Sequence, residues 1–411
     1  MLQVHRCLYE LRAEGNVADQ IYIKSFQVEN IDNVKPITVG LGDTKKHLII
    51  TGRNGSGKTS ILRAIQAEIV LIKNSRGRIQ EFRELRIEAE KQRDQNPARK
   101  YSALEANPQW PDAQILLNTS GGSGFVQEDE ICILFSATRS LQANNPASIT
   151  PPSLPVSRAN EPDLNRLILQ HLVNLKAQRA FAKEDEDENS VSAIDKWFES
   201  FSGALREAFE SPAINLEFDR KALDFKIVEG DKKYSFNALS SGQSAILSIY
   251  AELLLRVEAA AQGNSDISGV ILIDEPENHL HASLQKKILL LLVQAFPQFQ
   301  FIVSTHSPFV ISSLQNAKIL NLEDGKLYED FSSFSYEAIL EEYMQVDKYS
   351  IDVKKQVEEI KEFMSNGNSD DAKERLQYLL TKLNNSGFSI GLSAELALEL
   401  NSIKLALKNL E

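Results

Sequence analysis

The octapeptide Gly52-Arg53-Asn54-Gly55-Ser56-Gly57-Lys58-Thr59 leaves this chain few ways to fold around it. The short apolar run His47–Thr51 precedes it and reads as a buried strand. Residues 58–72 follow with helical periodicity. Strand, glycine-rich loop and helix in that order form the setting of the Walker A pattern, which the octapeptide matches in full. Glycines let backbone N–H groups turn inward around phosphate oxygens, where a Cβ would obstruct the approach. The helix N-terminus turns partial positive charge toward the same anion. Lys58 is expected to reach the β- and γ-phosphates and the Thr59 hydroxyl to ligate Mg²⁺. Gly52 through Lys58, with Thr59 and Ser60 behind them, are the expected nucleotide cradle, and ATP with Mg²⁺ the expected ligands.

A second constraint lies at Val270-Ile271-Leu272-Ile273-Asp274-Glu275, an apolar strand that ends in two carboxylates. Such a strand delivers Asp274 as an oxygen ligand for a hard cation. Glu275 follows at once, placed to polarise an attacking water as general base.

The rest of the 411 residues sets bounds. Net charge is −12, with 42% apolar and 25% charged residues, which is ordinary globular composition. The acidic balance argues against a general nucleic-acid coat. The longest apolar stretches, such as residues 288–293, fall far short of the ~20 residues that cross a bilayer. The first fifteen residues mix charged and apolar side chains without an apolar leader core. Cys7 and Cys132 stand far apart in no metal-binding spacing. A reduced, cytoplasmic protein without membrane contact is expected.

Along the chain, apolar strands alternate with amphipathic helices, which predicts an α/β sheet covered on its faces. Strands are expected over 21–26, 37–41, 114–118, 131–135, 270–273 and 301–304, and a hairpin over 214–218 and 223–228. Helices are expected over 164–182, 192–209, 244–261 and 281–295. Trp197, Phe198, Phe201 and Leu205 share one face of the second of these and read as packing. Residues 184–188 are an acidic run expected in a solvated loop, and 144–162, rich in Pro, Asn and Ser, a loop or lid. Between Lys73 and Lys100 basic residues outnumber acids; this stretch is either a solvated helix or a contact surface for nucleic acid or a partner. From Tyr336 the chain looks all-helical, with a break at 384–387 and a last helix over 393–410. The expected division is an ATPase domain over 1–334, with a helical or lid insertion at about 73–213, and a helical region over 335–411.

Three further segments carry a resemblance. Leu239-Ser240-Ser241-Gly242-Gln243 resembles the Leu-Ser-Gly-Gly-Gln signature of ABC-type ATPases, with Ser241 in place of the first Gly. Thr305-His306-Ser307 follows a strand as the switch histidine does in that superfamily. His281 takes the position where transporters carry the Asp of the D-loop. The resemblance implies an ABC-type, SMC-like P-loop head. In it, His306 donates to the γ-phosphate, and Ser240, Ser241, Gly242 and Gln243 meet the nucleotide held by a second, head-to-tail copy. Lys58, Glu275 and His306 are then the catalytic residues. No clear Q-loop glutamine appears; Gln142 is the candidate, and Arg139 in the same turn could equally meet a phosphate.

About 180 residues separate Thr59 from Leu239, too few for an SMC coiled-coil arm. Asp274-Glu275-Pro276-Glu277-Asn278-His279-Leu280-His281 and Ser304-Thr305-His306-Ser307-Pro308 are similar to bacterial ATPases of the OLD, PtuA and AriA type. The helical tail resembles the PtuA-like branch of Septu and retron antiphage systems. That resemblance implies a separate HNH-type effector nuclease, PtuB-like, regulated by this ATPase, with the tail serving oligomerisation, partner docking or core capping. The six histidines (His5, His47, His171, His279, His281 and His306) form no HNH pattern, and no Asp-x-Asp follows Phe331, so no nuclease site is expected here. The rival readings are a repair-type ATPase that clamps DNA directly, an AriA-like scaffold that traps a toxin nuclease, and a nucleotide-gated binding module with negligible turnover.

Overall fold

The structure, a computed structural model, describes residues 21–28, 31, 34–74, 113–118, 131–154, 164–262, 267–329, 331–344, 351–384 and 394–408. The chain divides into two compact units, Met1–Phe334 and Ser335–Glu411.

The first unit opens with β1 (Tyr22–Val28), β2 (Ile37–Gly40), β3 (His47–Thr51), α1 (Lys58–Asn74), β4 (Ala113–Asn118) and β5 (Ile131–Phe135). A 3₁₀ turn, Leu164–Leu167, leads into α2 (Ile168–Glu184) and then α3 (Glu188–Ala208). Strands β6 (Ile214–Asp219), β7 (Asp224–Glu229) and β8 (Lys232–Ser235) precede α4 (Ser241–Gln262). Next come β9 (Gly269–Asp274), α5 (Ala282–Gln285), α6 (Ile288–Ala295), β10 (Phe299–Ser304) and α7 (Pro308–Ile311). The hairpin β11 (Ala317–Asn321) and β12 (Lys326–Tyr328) follows.

The central sheet runs in the order β12-β11-β3-β10-β9-β5. All its neighbours are parallel except the edge strand β12. Every residue of β3, β9 and β10 is buried, as expected of parallel strands covered on both faces. An antiparallel sheet, β2-β1-β4, joins α1 and the central sheet around one apolar core that includes Phe26, Leu48, Ile61, Ile65 and Ile302. Gln300, fully buried in β10, ties these layers together. Its Oε1 accepts from the Ile23 N–H at 2.8 Å, and its Nε2 donates to the Ile23 and Lys46 carbonyls at 3.1 and 2.7 Å. The side chain thus meets backbone groups of Ile23, beside the register shift of β1 against β4, that would otherwise be buried with their polar atoms unmet.

Several expectations are corrected. The hairpin at 214–228 is a three-stranded meander, because β8 pairs back on β7. The helix expected over 281–295 is two short helices, and residues 286–287 interrupt it. The loop expected over 184–188 is an exposed turn confined to 185–187: Glu184 ends α2, and Asp187 caps α3 by accepting from the Ser190 N–H at 3.1 Å. An acceptor at that position meets a donor that the helix itself leaves unpaired. The hairpin β11–β12 was not expected at all. The insertion expected over 73–213 is not continuous, since β4 and β5 within it belong to the two sheets. Its helical part packs as anticipated: Trp197 stacks on Phe201 at 5.4 Å and donates from its indole N–H to Glu258 of α4 at 2.7 Å.

The second unit contains three longer helices, α8 (Ile351–Ser365), α9 (Ser369–Asn384) and α10 (Ala394–Lys408). Its core includes Ile360, Ala372, Leu376, Leu379, Leu400 and Ile403. The apolar positions recur at helical spacing on each helix, which is why the three close on one another. No described helix is long and apolar enough to cross a membrane.

Candidate nucleotide site

Strands β3, β10 and β9 are adjacent and parallel, so their C-terminal ends lie side by side. Ser304 pairs with Ile50 on one side and with Asp274 on the other. Three loops therefore start from one sheet edge, the place where open α/β sheets bind ligands. These are the glycine-rich loop after β3, the acidic pair at the end of β9, and the Thr305-His306-Ser307 segment after β10.

In the glycine-rich loop, Gly52, Gly55 and Gly57 have φ of +147°, +79° and +93°, values that side chains other than hydrogen rarely allow. A Cβ on Gly52 would also lie 2.9 Å from Ser56 Oγ. Ser56 Oγ is itself buried without a hydrogen-bond partner. A curled glycine loop with a spare buried hydroxyl, at the start of α1, fits a phosphate group. Lys58 Nζ lies inside the loop, donating to the Gly52 and Arg53 carbonyls at 2.9 and 3.1 Å. It also meets His306 Nε2 at 2.6 Å. Burial pulls the Lys58 pKa down, against the pull of Glu275, Asp274, Glu277 and Glu323. Arg53 and Asn54 are exposed at the tip, where Arg53 pairs with Glu323 at 3.1 Å. Gly57 and Ser60 are half-buried, the latter in the first turn of α1.

Thr59 Oγ1 donates to Asp274 Oδ2 at 2.9 Å, and Ser304 Oγ donates to the other oxygen of Asp274. A hydroxyl and a carboxylate that share one point in this way are the oxygen donors Mg²⁺ prefers. Glu275 is strained, with φ of +46°. A non-glycine residue there costs about 1–3 kcal/mol and persists only where its surroundings over-determine it. Here they do. Its N–H donates to the Ser304 carbonyl at 3.0 Å, its carbonyl accepts from Arg139 Nη2 at 3.0 Å, and its Oε2 accepts from Asn278 Nδ2 at 2.8 Å. The other oxygen, Oε1, lies 3.8 Å from His306 Nε2. Burial and the nearby Lys58 charge lower the His306 pKa, against the pull of Glu275, Asp274 and Glu323.

Arg139, the alternative to Gln142, is turned toward the end of β9. Its guanidinium is committed to the Ser136, Asp274 and Glu275 carbonyls at 2.8, 2.9 and 3.0 Å, so it braces the acidic strand end. Gln142 is exposed, and its Nε2 donates to Ser140 Oγ at 3.3 Å. Glu277 and Asn278, both lining a cavity of about 610 Å³ with Glu275 and His306, were given no role by the sequence reading. The only hint was their place in the string after Asp274.

The signature-like segment is a capping box. Ser240 Oγ accepts from the Gln243 N–H at 3.3 Å, and Gln243 Oε1 accepts from the Ser240 N–H at 3.2 Å. Ser240 and Ser241 are exposed at the start of α4. Gly242 is buried, and a Cβ there would meet the His279 carbonyl at 2.6 Å. That contact fixes the start of α4 against the turn that carries His281. His281 is exposed and meets Ser283 Oγ through Nδ1 at 3.1 Å. The stretch between Lys73 and Lys100 lies, from residue 75 on, outside the described residues, as does Cys7.

The profile of a family described as "AAA domain, putative AbiEii toxin, Type IV TA system" matches residues 48–312, more than half of the chain, and the chain belongs to that family. The matched span contains every site residue described above. The chain is 28% identical over 187 residues to "Retron Ec83 probable ATPase" of Escherichia coli, covering 42% of this chain and 34% of that protein. It is 29% identical over 141 residues to "Septu protein PtuA" of Bacillus thuringiensis, covering 30% and 36%. The matches thus span about a third of those relatives' own lengths. Among solved structures, the Smc head bound to the C-terminal winged-helix domain of ScpA aligns at a TM-score of 0.35 with 14% identity, covering 75% of this chain and 96% of that one. The resemblance to retron and Septu ATPases read from the motifs therefore holds.

Proposed function

We propose that this chain binds and hydrolyses ATP as an ABC-type head in a cytoplasmic antiphage defence assembly, and that its nucleotide state governs a separate HNH-type effector nuclease. The observation that carries the reading is the convergence, at three adjacent strand ends, of Lys58, Thr59, Asp274, Glu275 and His306. The loop from Gly52 to Lys58 holds the β- and γ-phosphates. Thr59 and Asp274 hold Mg²⁺, which when bound neutralises developing charge on those phosphates. Glu275, oriented by Asn278, takes the proton of the attacking water. His306 orients toward the γ-phosphate.

The exposed Ser240 and Ser241, with Gly242 and Gln243 behind them, act on the nucleotide of a second copy packed head to tail. Bound nucleotide then joins two copies, and hydrolysis releases them. The helical unit 335–411 serves oligomerisation or partner docking. The names of the retron and Septu relatives support the defence role.

Light scattering of the protein with and without Mg-ATP, alone and with a candidate effector, tests this reading. A larger species that requires Mg-ATP and takes up the effector in fixed ratio is expected. A single mass under all conditions would contradict the assembly reading.

A further inference from the structure

Glu277 lies two residues beyond Glu275, with its carboxylate under the turn that presents His306. Its Oε1 accepts from three consecutive residues: the Thr305 hydroxyl at 2.5 Å, the His306 N–H at 2.9 Å and the Ser307 N–H at 3.2 Å. Its other oxygen is buried with no hydrogen bond. Burial pushes the Glu277 pKa up, while the Thr305 hydroxyl and the backbone donors pull it down. Arg139 supplies compensating positive charge, and among its acidic neighbours Glu277 acts on it most strongly. Burying a carboxylate is unfavourable unless donors and charge meet it. Here all the named donors come from one loop, and His306 stands at its centre.

We propose that Glu277 is a positioning residue for hydrolysis, whose carboxylate fixes the backbone of His306 so that the imidazole stands between Lys58 and Glu275. The inference rests on the hydrolytic reading of the site. The geometry supports action through His306: Oε1 is spent on the loop, and His306 Nε2 faces Lys58 Nζ at 2.6 Å and Glu275 Oε1 at 3.8 Å. Without the carboxylate, the Thr305 hydroxyl and the His306 N–H lose this acceptor, while the Thr305 N–H to the Ile50 carbonyl at 2.9 Å and Ser307 Oγ to Gln285 Oε1 at 2.7 Å still anchor the loop on either side of His306. The imidazole then loses its fixed distance to both partners.

The test is steady-state Mg-ATP hydrolysis by the full chain and by Glu277→Ala, Glu277→Gln, His306→Ala, the double variant Glu277→Ala/His306→Ala, and Glu275→Gln, each checked for an intact melting transition. Glu277→Ala is expected to lower kcat on the order of 10–100-fold with KM within about threefold, as for a group that acts only in the chemical step. Glu277→Gln keeps an acceptor oxygen under the loop and is expected to recover most of that loss. The double variant is expected to be no slower than His306→Ala alone, since coupled residues are not additive. Where Glu277→Ala does not fold, Glu277→Asp carries the same test, because it withdraws the carboxylate by one methylene and keeps the charge.

A kcat within about twofold of the unaltered protein in folded Glu277→Ala, or in Glu277→Asp where that stands in for it, or losses that multiply in the double variant, would overturn the proposal. So would an unchanged kcat in His306→Ala. If Glu275→Gln and His306→Ala are slow while Glu277→Ala is not, the role of Glu277 falls and the hydrolytic reading stands. Full turnover by Glu275→Gln would overturn that reading, and the role of Glu277 with it.

Discussion

His171 and His47 are buried imidazoles whose pKa values are both pushed down to about 4, chiefly by loss of water. His171 lies edge-on to Trp197 at 5.4 Å, and neither of its ring nitrogens has a hydrogen-bond partner. His47 accepts from the Phe301 N–H at 3.0 Å through Nδ1, and the nearby Lys45 charge disfavours its protonated form further. Both are neutral in the fold and titrate near 6.5 in the unfolded chain. The unfolded state therefore binds more protons between pH 6.5 and 4, and folding stability falls as pH drops through that window. Each histidine contributes at most about 3 kcal/mol to the fall. Thermal unfolding of His171→Leu at several pH values is expected to show a shallower loss over the window than the unaltered protein. An unchanged slope would mean that His171 is not held neutral.

Residue chemistry was the most readable layer. Gly52 to Thr59, Asp274, Glu275 and His306 could be singled out because each motif demands particular atoms at a fixed spacing. Glu277 could not, because its partners lie 28 to 30 positions later in the chain, and Arg139 could be singled out only as a possible phosphate contact. Arg139 meets carbonyls 135 and 136 positions later. No local pattern encodes that.

At the scale of elements, the start of α4 is the most exacting. The capping box of Ser240 and Gln243 meets donors that the first turn leaves unpaired. Ser240→Ala is expected to cost about 1 kcal/mol, read as a lowered denaturation midpoint. Gly242→Ala is expected to cost more, about 1–3 kcal/mol, because the new methyl collides with a backbone carbonyl that cannot swing aside. A Gly242→Ala protein as stable as the original would contradict the close packing of α4 on the 279 turn. Element type was readable where the apolar period was clear, as in β3, β9, β10 and α4. The break between α5 and α6 was not, since the periodicity of 281–295 runs through it. Nor was the β11–β12 hairpin, whose strands are short and whose pairing to β3 is set by the sheet rather than by their own residues.

At the scale of the whole molecule, the parallel order β3-β10-β9 turns three distant motifs into one site. The α/β class followed from the alternation of strands and helices, whereas this strand order did not. Ser240 and Ser241 are exposed at the start of α4, where the proposed head-to-tail assembly requires them. In Glu275→Gln, Mg-ATP is expected to hold the larger assembly for longer than in the unaltered protein, as seen by mass photometry over time. Equal lifetimes would separate assembly from hydrolysis.

The most direct measurement is phosphate release from Mg-ATP by the purified chain and by Glu275→Gln, with nucleotide binding measured alongside. Removal of a general base typically costs on the order of 10²–10⁴-fold, so Glu275→Gln should bind ATP as tightly and release phosphate at least 100-fold more slowly. Phosphate release by Glu275→Gln at the rate of the unaltered protein would contradict the account, because the strained carboxylate at the end of β9 would then not be the base.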